Sequence, residues 1–548
     1  MKASPSPRLW SAASVSVALL LAVPVLVIVG FMLVPAGDTW GHLASTVLPD
    51  YVSNSLLLML GVTLGTLVGG VGTAWLTSMC RFPGRGIFEW ALLLPMAMPA
   101  YIIAYTYTGM LDFAGPVQST LRSLTGWGYG DYWFPEIRSL AGAALMLSLV
   151  LFPYVYLLTR AAFLSQSLCV LDVSRTLGNG PWRTFLRLAL PLARPAIAAG
   201  LSLALMETLA DYGTVQYFGV QTFTTGIFRT WYGLGSAAAA AQLSALLLGF
   251  VLVLIAVERS SRRHARYHQT SQRHQAIRRY HLRGWRASGA FLFCLLPVLL
   301  GFMIPAGQLG VWAATLASEA YDADFLRLVV NSLELAALAA VLALLLALLL
   351  AYGKRLNPSR PVVGAVRLAG LGYAVPGTVI AIGVIIPFAW IDNGLDAWMR
   401  TNFGISTGLI LSGTLTALLF AYLVRFLAVA LQTIESGLGK IKPSMDEAGR
   451  SLGYRPGQVL GRVHLPMLKG SLLTALLLVF VDVLKELPAT LILRPFNFNT
   501  LAVRAFELAS DERLADSAPA ALTIVLAGLA PVILLSRSIT RSRDADTA

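Results

Sequence analysis

Long apolar stretches, each wide enough to cross a bilayer, recur along the whole chain and alternate with short polar or basic segments. A helix crossing a ~30 Å hydrocarbon core needs about 20 apolar residues. Stretches of that length lie near 11–34, 55–79, 88–110, 139–163, 193–216 and 237–256. A second set lies near 289–309, 329–352, 363–390, 408–432, 470–493 and 518–536. The pattern predicts an all-α polytopic membrane protein with about 12 transmembrane helices. The first stretch exceeds the 7–15-residue apolar run of a signal peptide and lacks a small-residue cleavage site after it, so it reads as a true span.

Polar, Pro and Gly positions show that the chain is built twice. Asn54-Ser55-Leu56 returns as Asn331-Ser332-Leu333, and Pro99 returns as Pro376 at the same offset. Arg175-Thr176-Leu177-Gly178 returns as Arg450-Ser451-Leu452-Gly453 at a slightly shorter offset, the mark of one small deletion. At that shorter offset Pro181 matches Pro456, Arg187 matches Arg462, and Leu190-Pro191 matches Leu465-Pro466. Phe223, Thr225 and Arg229 match Phe498, Thr500 and Arg504. Six spans return the chain to its starting side, so the halves insert as two parallel six-helix repeats, a transporter-like plan. The expected division is a tail, first helix and loop (1–53), a first repeat (54–256), a basic linker (257–287), a seventh helix and loop (288–330), a second repeat (331–536) and a tail (537–548). Gly61, Gly65 and Gly69 form a small-residue stripe suited to close helix packing.

Composition agrees: 57% of residues are hydrophobic and 12% charged, against about 25% charged in soluble chains. The net charge of +14 is explained by location. With the N-terminus inside, all but nine of the 41 basic residues fall in inner segments, as the positive-inside rule requires. Both termini are then expected to be cytoplasmic, and no nucleic-acid partner is needed. The linker, with His264, His268, His274 and His281 among its arginines, reads as a solvated segment facing anionic membrane lipid. Cys80, Cys169 and Cys294 are too scattered for a disulfide framework and read as free thiols without a metal.

Between the fourth and fifth spans of each half lies a polar, basic segment. The first copy is Asp172-Val173-Ser174-Arg175-Thr176-Leu177-Gly178 and the second Glu447-Ala448-Gly449-Arg450-Ser451-Leu452-Gly453. Gly178 and Gly453 suit a left-handed helix end, and Pro191 and Pro466 suit a restart toward the membrane. A short helix, a glycine break and a second short helix make a knob on the cytoplasmic side, present twice. The pattern resembles the EAA signature of ABC importer permeases, Glu-Ala-Ala with a Gly further on and a later Leu-Pro. The second copy matches through Glu447, Ala448, Gly453, Leu465 and Pro466, with Gly449 in place of the second Ala. The first keeps Asp172, Arg175, Gly178 and the Leu-Pro. The resemblance implies the type I ABC importer transmembrane fold. It also implies that Asp172, Arg175, Gly178, Glu447, Ala448, Arg450 and Gly453 couple the chain to a dimer of ABC ATPase subunits. The chain has no G-x-x-x-x-G-K-[ST] loop, so it is not expected to be an enzyme or to bind a cofactor. ATP and Mg are expected to be used by the partner.

Glu207-Thr208-Leu209-Ala210-Asp211-Tyr212-Gly213 and the run to Ile227 are similar to ferric-iron importer permeases, as is Asp482-Val483-Leu484-Lys485-Glu486-Leu487-Pro488 with Arg494 to Thr500. That resemblance implies Fe(III) as cargo and a periplasmic ferric-binding protein as partner. Glu207 and Asp211 are four apart, as are Asp482 and Glu486, so each pair is expected to share a helix face. If the fifth span begins near 193, Glu207 lies about 21 Å along it. Charges at that depth are costly and point to function, and carboxylates suit a hard cation. Glu207, Asp211, Tyr212, Asp482, Lys485 and Glu486 are therefore candidates for the translocation pathway. The alternative is structural, with Lys485 paired to Asp482 or a nearby acid. Arg229 and Arg504 are candidates to face the binding protein, or else a solvated rim. Competing cargoes are thiamine, a phosphonate or a polyamine. An ion-coupled secondary transporter would need no paired knobs. A membrane enzyme finds no support: H-E-x-x-H does not occur, and the two G-x-S-x-G matches, Gly404–Gly408 and Gly449–Gly453, follow no predicted strand, so neither reads as a nucleophile elbow.

Overall fold

A computed structural model of the chain describes residues 7–35, 37–128, 130–165, 180–263, 279–316 and 322–544. The first half opens with α1 (Pro7–Gly30) and α2 (Leu48–Met79). It continues through α3 (Arg85–Ala91), α4 (Ala100–Leu111) and α5 (Leu140–Ser165). Then come α6 (Pro181–Ala210), the short α7 (Gly213–Tyr217) and α8 (Phe223–Phe228), and α9 (Ala237–Arg263). The second half repeats the series. It runs α10 (Trp285–Thr315), α11 (Ala323–Leu356), α12 (Arg360–Ala369), α13 (Gly377–Phe403), α14 (Leu415–Gly439) and α15 (Pro443–Ser451). It ends with α16 (Pro456–Leu484), α17 (Pro488–Leu493), α18 (Leu501–Ser510) and α19 (Leu514–Asp544). Among the described residues 11 helices are long and apolar enough to cross a membrane, or 12 if one bent pair counts as a span. The strand content described is one two-residue parallel bridge, Cys80–Arg81 with Tyr280–His281.

The bent pair corrects the straight span expected near 88–110. Arg85–Ala97 and Ala100–Thr125 meet at 89°. Near 363–390 the expected single span is α12 followed by a separate α13. Both corrections have one cause. Met98 and Val375 precede prolines and are extended, with ψ of 114° and 125°. Pro99 and Pro376 are extended as well, each with ψ 142°, so a new helix starts at Ala100 and at Gly377.

Other prolines are absorbed without a break. The segments Phe185–Ala189, Leu299–Met303 and Leu460–His464 are π-turns, each followed one residue later by Pro191, Pro305 or Pro466. Proline cannot donate to the carbonyl four residues back and its ring crowds that carbonyl, so a wider turn just ahead accommodates it. Pro191 and Pro466 therefore do not restart the chain after a second short helix; α6 and α16 run through them continuously.

Packing does not follow the order of the repeats. One compact unit holds 1–40, 227–248 and 321–504; the other holds 41–226, 249–320 and 505–548. In the first of these α1 lies on α11, α12 and α13. A Cβ on Gly383 would come within 3.0 Å of Pro24 Cα, so glycine lets the two backbones cross there. In the other unit α10 and α19 lie with the α2–α6 bundle, where Gly301 fits against Pro95 and Gly528 against Ala97.

The small-residue stripe of α2 meets α5. A Cβ on Gly61 would come 2.8 Å from Ala144 Cβ, one on Gly65 2.6 Å from Ser148 Cβ, and one on Gly69 3.4 Å from Phe152 Cβ. Three contacts at four-residue spacing on both helices are what close approach in a membrane bundle demands. Gly65→Leu overpacks this seam and should destabilise the protein by about 2 kcal/mol. Thermal unfolding in detergent would read this as a lowered midpoint; an unchanged midpoint would contradict the packing role.

Candidate functional site

The second copy of the repeated segment is α15. Lys442 leads into it with Pro443 in its first turn. It ends as the sequence requires, with Gly453 at φ 79°. Gly453 N–H donates to Arg450 O (2.9 Å) and Tyr454 N–H to Gly449 O (3.0 Å), the paired bonds of a Schellman end. Gly449 is buried, and a Cβ there would sit 3.0 Å from Val459 Cγ2. That contact accounts for glycine where the signature has a second alanine. Glu447, Ala448, Arg450 and Gly453 are exposed, together with Met445 and Leu452. The first copy, with Asp172, Arg175 and Gly178, lies outside the described residues.

Residues that pattern reading did not single out hold α15 in place. Asp446 is buried and accepts from Arg355 Nε at 3.1 Å. Arg355 also donates to Leu438 O (2.6 Å) and Ile441 O (3.0 Å). His464 Nε2 is 3.0 Å from Asp446 Oδ1. Lys354 pairs with Glu435 at 2.6 Å. The available signal was an arginine in the last turn of one span and an acid directly before the Glu-Ala pair.

The paired acids are placed differently from expectation. Helix α6 stops at Ala210 and α16 at Leu484. Asp211 is extended (ψ 133°), so it does not share a helix face with Glu207; Glu486 lies beyond its helix in the same way. Because α6 begins at Pro181, Glu207 falls in its last turn. Asp211 Oδ1 accepts from the backbone N–H of Thr214 and Val215, both at 3.1 Å, and Oδ2 from Thr214 Oγ1 at 3.0 Å. Glu486 does the same at the matching place in the second half: Oε1 accepts from Ala489 N–H (2.9 Å), and Oε2 from Thr490 N–H (3.0 Å) and Oγ1 (2.6 Å). Each acid thus caps the short helix after its break.

The copies differ in charge balance. Arg425 Nη1 lies 3.1 Å from Glu486 Oε1. Tyr422 and Thr490 hydroxyls are 2.6 Å apart beside them, and glycine at 377 leaves room for the cluster. Lys485 pairs with Asp482 at 2.8 Å. Glu207 is half-buried and has no ion-pair partner among the described residues. Tyr212 is buried with its ring centroid 5.9 Å from that of Phe506. Arg229 and Arg504 are both exposed. A buried Arg in an apolar helix such as Arg425 is itself a sequence signal of a buried counter-charge.

Another cluster joins Asp112, Arg138, Tyr217 and Glu512. Arg138 Nη1 is 3.4 Å from Glu512, and Nη2 is 3.7 Å from Asp112 and 3.3 Å from Tyr217 OH. Glu512 has φ 61°, the same angle as Gly235 close to the matching place in the first half. A side chain in that conformation costs roughly 1–2 kcal/mol. Among the described residues no group of three or more His, Cys, Asp or Glu is arranged to hold a metal ion.

A doubled span pattern, an EAA-type segment with its glycine end and mirrored helix breaks define a permease of the ABC importer class with the type I transmembrane fold. The chain belongs to the family of binding-protein-dependent transport system inner membrane components, which matches residues 61–266 and again 343–545. It is a two-half permease in one polypeptide and spans the membrane many times. Members of this family work with ATPase and substrate-binding partners. It is 28% identical over 496 residues to the Fe(3+)-transport system permease protein FbpB 2 of Haemophilus influenzae, covering 89% of this chain and 90% of that one. It is 26% identical over 469 residues to the ferric transport system permease protein FbpB of Actinobacillus pleuropneumoniae, covering 81% and 64%. The molybdenum transport system permease protein ModB of Escherichia coli is 25% identical over 221 residues, covering 38% of this chain and 93% of ModB.

Removing the charge at 486 strands Arg425, whereas removing it at 211 leaves no cation behind. Glu486→Gln should therefore destabilise by about 3 kcal/mol and Asp211→Asn by about 1 kcal/mol. Thermal unfolding of the two variants side by side would show the difference; equal midpoints would contradict the structural roles assigned to both acids.

Proposed function

We propose that this chain is the permease subunit of an ATP-driven importer that carries Fe(III) across the bacterial inner membrane by alternating access. The observation that carries the cargo is the alignment over 89% of the chain with a protein named for Fe(3+) transport. That alignment runs through both halves, whereas the molybdenum permease aligns with 38% of the chain. An oxyanion cargo is the second reading, favoured by those one-half relatives.

In this reading both termini and both repeated segments face the cytoplasm, where a dimer of ATPase subunits, using ATP and Mg, grips them. Asp172, Arg175 and Gly178 serve one subunit; Glu447, Ala448, Arg450 and Gly453 serve the other. The exposure of the second set, around a helix whose buried side is clamped, supports a docking role. A periplasmic ferric-binding protein delivers cargo to the opposite face, where Arg229 and Arg504 are exposed. The pathway candidates divide by how firmly they are held. Asp211 and Glu486 are committed to their caps, Asp482 to Lys485, and Tyr212 is packed away. Glu207 is left as the acid best able to meet a hard cation in passing.

The discriminating experiment is uptake of radiolabelled Fe(III) and of molybdate into vesicles holding the permease, its ATPase and its binding protein. Fe(III) uptake that requires both ATP and the binding protein is expected; molybdate uptake in its place would overturn the cargo. Glu207→Gln should lower Fe(III) uptake severalfold with an unchanged unfolding midpoint, and full uptake would take Glu207 out of the pathway. Glu447→Arg with Arg450→Glu should release the ATPase subunits on purification, because like charges facing a complementary surface repel; undiminished co-purification would count against docking there.

A further inference from the structure

The second repeated segment is attached to its bundle by directional polar contacts. Within one compact unit, Arg355 at the end of α11 binds Asp446 on α15 and the carbonyls of Leu438 and Ile441 at the end of α14. One turn earlier Tyr352 donates its hydroxyl proton to Pro456 O at 2.7 Å, and its ring meets buried His464 edge-on, centroids 5.5 Å apart. Both arms of the segment, α15 and the start of α16, are therefore tied to the last two turns of α11 by directional polar contacts.

The repeat gives the comparison. Position 352 corresponds to Trp75, whose ring packs on Phe185 (centroids 4.9 Å apart), Phe163 (5.6 Å) and Tyr280 (6.3 Å) in the other unit. Arg355 corresponds to Ser78, whose hydroxyl donates within its own helix to Ala74 O. His464 corresponds to Ala189, and Asp446 to Leu171, which lies outside the described residues. At the positions of Tyr352 and Arg355 the first half thus has aromatic packing and a hydroxyl, and its buried ion pairs near the end of α2 are those of Arg85 and Arg160 with Glu89. Apolar packing is non-directional, while guanidinium–carboxylate bonds fix orientation.

We propose that Arg355 is a positioning residue that transmits movement of the second coupling segment to α11. The proposal rests on the coupling role given above. In that role, displacement of α15 pulls α11 through Asp446 and Arg355, and pulls the start of α16 through Tyr352.

The test uses the complete transporter in proteoliposomes, with ATPase subunits and binding protein present. Three quantities are read: ATPase subunits retained, ATP hydrolysed, and radiolabelled Fe(III) moved per ATP. Arg355→Gln and Asp446→Asn should each lower Fe(III) moved per ATP about tenfold, within the range of site-to-site coupling, with the ATPase subunits still bound. The double variant should lose clearly less than the two single losses combined, because the Arg355–Asp446 interaction is removed in both. Arg355→Lys, which keeps the charge but not the fork, should recover part of the loss. Tyr352→Phe, the mildest change, should lower the ratio about twofold, the scale of one hydrogen bond. An unchanged ratio in Tyr352→Phe and Arg355→Gln, or losses that add in the double variant, would overturn the proposal. Loss of the ATPase subunits in Arg355→Gln would also overturn it, by making the arginine a scaffold for docking. If Glu447→Arg with Arg450→Glu leaves the ATPase bound, the coupling assignment itself fails, an outcome independent of what Arg355 does.

Discussion

Hydrocarbon offers no hydrogen bonds, so a helix interrupted inside a membrane protein must find partners for its freed backbone groups within the chain. This constraint acts at the two helix breaks. After Ala210 and after Leu484 the helix stops, and the N–H groups opening the next short helix are exposed to the interior. Asp211 and Glu486, at matching positions of the two halves, supply the acceptors in both places. Carboxylates that first read as pathway candidates thus cap the short helices after the breaks. Among the described residues only the second copy carries a counter-charge, Arg425, so duplication has preserved the cap and let its electrostatics diverge.

The same divergence runs through the repeated segment. Its outline is shared: a proline at the start of the second arm, a π-turn, then a Leu-Pro pair carried inside a continuous helix. The described contacts differ: Trp75 packs on Phe185 at the start of the second arm in one half, and Arg355 pairs with Asp446 in the other. Truncating one partner of a buried ion pair costs about 3–5 kcal/mol, so the second clamp is intolerant of change. Around it Glu447, Ala448 and Arg450 stay exposed, and a surface of that kind on a rigid base suits a partner that pushes.

The spans and the repeat were legible because each rests on local pattern: long apolar runs, and Pro, Gly and polar residues at constant offsets. The left-handed end at Gly453 was legible for the same reason, since glycine there has a conformational purpose. The breaks were harder. Pro99 and Pro376 stop helices, whereas Pro191 and Pro466 are absorbed by π-turns, and the difference depends on whether the preceding turn can widen. Helical spacing put Glu207 and Asp211 on one face because nothing in the apolar pattern marks the end at Ala210. Least legible was the packing of α1 with α11–α13 and of α10 and α19 with α2–α6, which depends on contacts far apart in sequence such as Gly383 against Pro24.

The account turns on α15 being the place where an external motor takes hold. The most direct measurement is a site-specific cross-link from Ala448→Cys to the ATPase subunit in the assembled transporter, with and without nucleotide. A cross-link to that subunit, with a yield that changes when ATP binds, is the predicted result. A position 448 that labels freely with a soluble thiol reagent in the intact complex, and never joins the ATPase, would contradict it.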